Sequence, residues 1–212
     1  MNIPFYKNPD NTHCFQASLK MMIEAFYPER VYGYNELDMI SAKKEGLWTW
    51  PLAGFIWMVQ NGFDLKIIEA FDLKAFAQEP EQYLYDYYGR EVGRAQIEHS
   101  DVAGEVGFAR TLCESPAIEK RIPHFNDLCD LLKEGFLIVA NVNARALYGN
   151  DGYEGHFVVI RGFGEDFLYL NDSGRADGEN IKVSRGAFEP AWYYPDEKSG
   201  NCYAFKKTPN RR

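Results

Sequence analysis

A cysteine that opens a long helix near one end of the chain, and a histidine that opens an apolar strand near the other, constrain its folding more than any other feature. Cys14 begins a run with apolar residues at Ala17, Leu19, Met21, Met22, Ala25 and Phe26, closed by Pro28. Residues 14–27 are therefore predicted to be helical, with Thr12 as the N-cap. Gly155-His156-Phe157-Val158-Val159-Ile160 reads as a strand of the buried type. A fold that uses both residues must bring a helix N-terminus to a strand end across most of the sequence. Helices in the first part and antiparallel sheet in the last part give an α+β class.

The remaining elements follow from the same patterns. Residues 3–6 read as an extended edge segment, and Asn8-Pro9-Asp10-Asn11 as a turn. Helices are predicted over 35–43 and 51–60, then a strand over 63–69. Residues 71–114, rich in Glu, Gln, Tyr and Arg, read as a helical insertion into a single domain spanning 1–212. A weak strand is expected at 118–122 and a helix at 125–134, stopped by Gly135. Strands follow at 136–143, 156–163, 166–170, 181–183 and 202–205, with a helical turn at 184–188. The pair around Gly164-Glu165 reads as a hairpin.

Bulk properties exclude several functions. A net charge of −8 without a basic stripe argues against nucleic acid as a partner. The basic end, Lys206-Lys207 and Arg211-Arg212, reads as a solvated tail. No apolar run is long enough for a membrane span, and the first residues lack the pattern of a secretory signal. Four widely spaced cysteines, at 14, 113, 129 and 202, are then expected to be reduced thiols in a cytoplasmic protein. Cys113, His124 and Cys129 match no zinc-binding spacing, and no metal or organic cofactor is expected.

A thiol becomes a nucleophile when its pKa falls, through a helix N-terminus or a nearby imidazolium. Cys14 has the first by position, and His156 can supply the second. Each also has a plain structural reading: free cysteine is commonly a small buried residue, and a lone histidine a packed or surface one. A catalytic imidazole needs an orienting group on its other nitrogen. A hairpin centred on Gly164 would set residue 172 opposite residue 156, which makes Asp172 a candidate orienter, with Asn171 as the second candidate; Asp172-Ser173-Gly174 reads equally as a turn.

Asn8 through Leu19, Gly155-His156-Phe157-Val158-Val159 and Tyr169-Leu170-Asn171-Asp172 together resemble the bacteriocin-leader (double-glycine) peptidases of the papain-like superfamily. The separation of Cys14 and His156 falls in the roughly 130–150-residue range of the papain pattern. The resemblance implies a papain-like fold and thiol-dependent acyl transfer, with Cys14 as nucleophile, His156 as acid and base, and Asp172 as orienter. The family's oxyanion-binding glutamine lies six positions before the cysteine, where this chain has Asn8. Gln16 is a second amide nearby. Residues 13 and 15 are His and Phe, where the family has Asp and Gly. No transporter segment accompanies the resemblance, so leader processing during export is not expected.

The expected substrate is a peptide or a small amide. Two alternatives stay open: a transferase or deamidase using the same triad, or an inactive domain that grips a peptide, which Asn8 and Phe15 would favour. Trp48 and Trp50 read as core aromatics, or more sharply as walls of a substrate cleft beside Cys14. His13 should face away from the thiol, since successive helical residues diverge by about 100°.

Overall fold

The structure is a computed structural model that describes residues 2–208. Arg211 and Arg212 lie outside the described residues. Helices α1 (Cys14–Phe26), α2 (Tyr34–Ile40) and α3 (Leu52–Gln60) lead into strand β1 (Phe63–Glu69). Helices α4 (Leu73–Gln78), α5 (Pro80–His99) and α6 (Val102–Leu112) connect β1 to β2 (Ile118–Lys120). Then come α7 (Phe125–Lys133), β3 (Leu137–Asn143), α8 (Ala144–Leu147), β4 (Gly155–Phe163), β5 (Phe167–Asn171), β6 (Ile181–Ser184), α9 (Arg185–Trp192) and β7 (Asn201–Lys207). Among the described residues no helix is long and apolar enough to cross a membrane.

All strands join one seven-stranded sheet in the order β2-β1-β7-β3-β4-β5-β6. The α+β class stands, but the sheet is more than a C-terminal unit. β1 enters it by pairing with β7, and β1 and β2 run parallel, which the intervening helices make possible. Side-chain alternation then divides the interior in two. Leu137, Val139, Phe157, Val159, Tyr203 and Phe205 face a core shared with α1 and α3. Ile138, Ala140, Val158, Ile160, Cys202 and Ala204 face a second core closed by α7 and α9. Burial on both faces explains why these strands read as continuous apolar runs.

Several local expectations are corrected. Residues 3–6 join no strand, although Ile3 is buried. Thr12 does not cap α1; His13 holds the cap position, and the Thr12 hydroxyl is taken by Asp10. The helical turn at 184–188 extends to Trp192, and residues 144–147 form an unexpected turn of helix. Residues 71–114 do form short helices, for α5 is two arms that meet at a break at Gly89, which has φ 77°. The β4–β5 hairpin is offset from the symmetric one. Its loop is longer, and a bulge between Ile160 and Gly162 leaves Arg161 unpaired, so Val159 faces Asn171. Asp172 therefore lies diagonal to His156 rather than opposite it.

The seat of α1 depends on Phe15. Its ring is buried between Phe55, with centroids 6.2 Å apart, and Phe157, 5.0 Å apart. α3 approaches this close because residue 54 is glycine: a Cβ there would fall 2.8 Å from the Phe15 ring. The phenylalanine that departs from the peptidase pattern is thus a core residue with a matching gap on its neighbour. Gly54→Ala should destabilise the protein by about 1–3 kcal/mol in urea unfolding, despite alanine's better helix propensity, because the ring has no room to move. A more stable variant would show that α1 and α3 do not meet in this way.

Candidate active site

The loop before α1 is fixed by its own side chains. Asn8 Oδ1 accepts the backbone N–H of His13 at 3.0 Å, and Asp10 Oδ1 accepts that of Thr12 at 2.9 Å. The His13 ring is held away from Cys14 between Asp10, at 2.6 Å, and Asp38, at 3.1 Å. Cys14 is left as the first helical residue, facing the start of β4.

There Cys14 and the imidazole of His156 line the same cavity, and each shifts the other's pKa. His156 Nε2 lies 2.7 Å from Asp172 Oδ1, which leaves Nδ1 for the sulfur. Asp172 is 1 % exposed and fully engaged. Oδ1 also accepts the Gly174 N–H at 2.8 Å, and Oδ2 accepts the Tyr148 hydroxyl. The Asp172 N–H donates to Gly178 O at 2.8 Å, an approach only glycine permits, since a Cβ on residue 178 would lie 1.9 Å from the Asp172 carbonyl. A further backbone bond, Asn8 N–H to Ser173 O at 2.8 Å, clips the loop before Cys14 to the Asp172 turn.

These contacts set the charges. Burial pushes the Cys14 thiol up, but the His156 imidazole and the N–H groups of Phe157 and Phe15 more than offset it, and the thiol is lowered. Burial pulls His156 down, yet Asp172 and Cys14 carry it up to about 10. Burial raises Asp172, and His156, Tyr148 and the Gly174 N–H bring it below the usual carboxylate range. The shifts of the three groups thus run toward thiolate, imidazolium and carboxylate, a nucleophile paired with its own proton donor. Cys129 and Cys202 move the other way, raised by burial.

The other singled-out residues separate clearly. Asn8 is buried, and among the described residues its Nδ2 donates to no partner. Gln16 points away from Cys14, giving its Nε2 to Ser41 at 2.8 Å and Thr49 at 3.1 Å. Asn171 also points away: its Oδ1 accepts from Arg161 and from the Asn180 N–H, so it plays no part around His156. Trp48 and Trp50 both line a cavity of about 230 Å³ that Cys14 and His156 open into. Trp50 is core and wall at once, tilted against Phe76 with ring centroids 5.2 Å apart and its Nε1 held by Gln96 and Ser100. Among the described residues no cluster of His, Cys, Asp and Glu is arranged to hold a metal ion. Sequence reasoning missed Tyr148, whose place beside Asp172 depends on the unexpected turn α8. It also missed Glu69, which lines the cavity from the end of β1.

Residues 1–199 match the Peptidase_C39 like family. No curated protein matches the chain. The peptidase domain of Streptococcus ComA, described as a bi-functional ABC transporter involved in a quorum sensing pathway, superposes with a TM-score of 0.54 at 14% identity, covering 98% of this chain and 100% of that one. A double glycine motif protease from an AMS/PCAT transporter, solved with its leader peptide, superposes with a TM-score of 0.51 at 15% identity, covering 98% of this chain and 93% of that one. The fold is thus the papain-like α+β fold of these peptidase domains.

Iodoacetamide labelling across pH should find one fast thiol, Cys14, with a midpoint below the roughly 8.5 of a free cysteine. Asp172→Asn should raise that midpoint, because it removes the charge that holds His156 protonated. Four thiols reacting alike would show that the sulfur and the imidazole are not coupled.

Proposed function

The chain belongs to the Peptidase_C39 like family, and on that premise we propose that it is a cysteine peptidase that cleaves a peptide bond with Cys14, His156 and Asp172. Family and fold support a cysteine-peptidase type of function. The observation that carries the finer reading is the buried contact of His156 with Asp172 on one side and Cys14 on the other. A structural histidine has no need of a carboxylate with three donors and a thiol whose pKa is lowered.

In this reading the Cys14 thiolate attacks the scissile carbonyl carbon, and the carbonyl π electrons move to oxygen. The backbone N–H of Cys14, without a partner at the helix start among the described residues, and Asn8 Nδ2 would receive that oxyanion. Asn8 is one methylene shorter than glutamine, but its oxygen is fixed by the His13 N–H, which leaves the nitrogen as the available end. As the tetrahedral intermediate collapses, the C–N bond breaks and His156 Nδ1 gives its proton to the leaving amine. His156 then takes a proton from water, the resulting hydroxide attacks the thioester, and the acid product leaves with the thiolate restored. Asp172 keeps the ring oriented through both half-reactions.

The alternative of an inactive binding domain rested on Asn8 and Phe15. Phe15 has its reason in core packing, and Asn8 retains a donor, so neither favours the inactive reading. The leader peptide bound to the AMS/PCAT protease makes a peptide the first substrate to test here.

The protein incubated with a mixed peptide library and followed by mass spectrometry should release defined fragments, and Cys14→Ala should release none. Asn8→Ala should lower kcat by about 100- to 1000-fold while leaving Cys14 alkylation unchanged. The pH profile should be bell-shaped. Its acid limb follows formation of the thiolate pair, and its alkaline limb falls near about 10, where His156 loses its proton. A Cys14 that alkylates rapidly but cleaves no peptide would return the chain to the binding reading.

A further inference from the structure

The cavity beside Cys14 is unlike a neutral cleft. Among the described residues no lysine or arginine lines it, while two carboxylates do: Glu154, exposed and paired with Arg145 at 3.8 Å, and Glu69 at the end of β1, which has no such partner. Phe63, Leu65, Ile67 and Glu69 share one face of β1, so a row of core side chains ends in a carboxylate. Glu69 is 6 % exposed. Its Oε2 accepts the Tyr203 hydroxyl at 3.0 Å, and among the described residues Oε1 has no hydrogen-bond partner and no cation pairs with the group. Around it stand aromatic rings, including Trp50, Tyr87 and Tyr88, which line the same space. The break at Gly89 ends the first arm of α5 just beyond those two tyrosines.

A buried carboxylate held by a single hydroxyl and by no cation is costly to ionise, and an arriving cation removes that cost. Its cost is visible in the raised pKa of Glu69, to about 7, which burial causes and the Tyr203 bond only partly opposes. A cation is the ligand that relieves it, since a cation pairs with the carboxylate and its stem and charge both pack well on aromatic faces.

We propose that this cavity is the substrate's side-chain pocket and takes a cationic side chain, of the lysine or arginine class, with Glu69 as its counter-ion and the rings of Tyr87, Tyr88 and Trp50 as its walls. The assignment rests on the peptidase reading of Cys14, because the same cavity holds the thiol and the carboxylate. It places specificity on the strand end and the helices between β1 and β2, away from the catalytic groups.

The test uses Cys14→Ala protein, which cannot turn over, and calorimetric titration with Nα-acetyl-lysine amide and its uncharged counterpart, Nα-acetyl-norleucine amide. The lysine probe should bind about 10- to 100-fold tighter, the range of a charge-assisted contact. Glu69→Gln in the same background should erase the difference while norleucine binding holds and the melting temperature does not fall. A preference that survives Glu69→Gln, equal binding of the two probes, or no binding of either overturns the proposal. If Glu69→Gln fails to fold, wild-type competition decides: lysine amide should slow iodoacetamide labelling of Cys14 and norleucine amide should not, and equal protection overturns the pocket. Lysine binding without cleavage of any peptide would sink the peptidase reading and leave the pocket standing; cleavage indifferent to charge would do the reverse.

Discussion

The seating of the α1 N-terminus against the start of β4 is the contact on which the rest of the molecule turns. Phe15 on Phe157 makes it, and each of these residues is the immediate neighbour of a functional candidate. A ring pair in the core thereby sets the separation of a thiol and an imidazole far apart in sequence. The Asn8–Ser173 backbone bond fixes the same junction from its other side. The Cys14 helix start, the start of β4 and the Asn8 loop are consequently held by packing and backbone bonds, and the His156–Asp172 hydrogen bond orients the ring within that frame.

Asp172 and Glu69 make an instructive pair. Both are buried carboxylates. Asp172 has three donors and falls below the ordinary range; Glu69 has one and rises to about 7. Depth does not distinguish them. Partners do, and a carboxylate left short of partners among aromatic walls is chemically expectant in a way that a satisfied one is not.

Much of this was legible in the residues themselves. Runs of apolar residues located α1, β1, β3 and β4 to within a residue or so, because these elements are long and strongly patterned. The meeting of residues 14, 156 and 172 could be argued from a helix start, a strand start and one hairpin. The hairpin register could not, since neither the longer loop nor the bulge at Arg161 leaves a local signature. Asn171 stood second to Asp172 by hairpin position, and the alternation of β5 turns it to the other side. Thr12 looked like a cap, and the competition from Asp10 is a matter of three-dimensional loop geometry. Tyr148 and Glu69 gave no signal at all: one depends on a single turn of helix, the other on which residues happen to surround a strand end.

The phenylalanine at 15 and the glycine at 54 occupy one volume shared between two backbones. Side chains at both positions would collide, and small residues at both would leave a void beneath the thiol. Drift at either site is therefore tolerated only in step with the other, so across related chains these two columns should change together, and a glycine restored at 15 should be accompanied by bulk at 54.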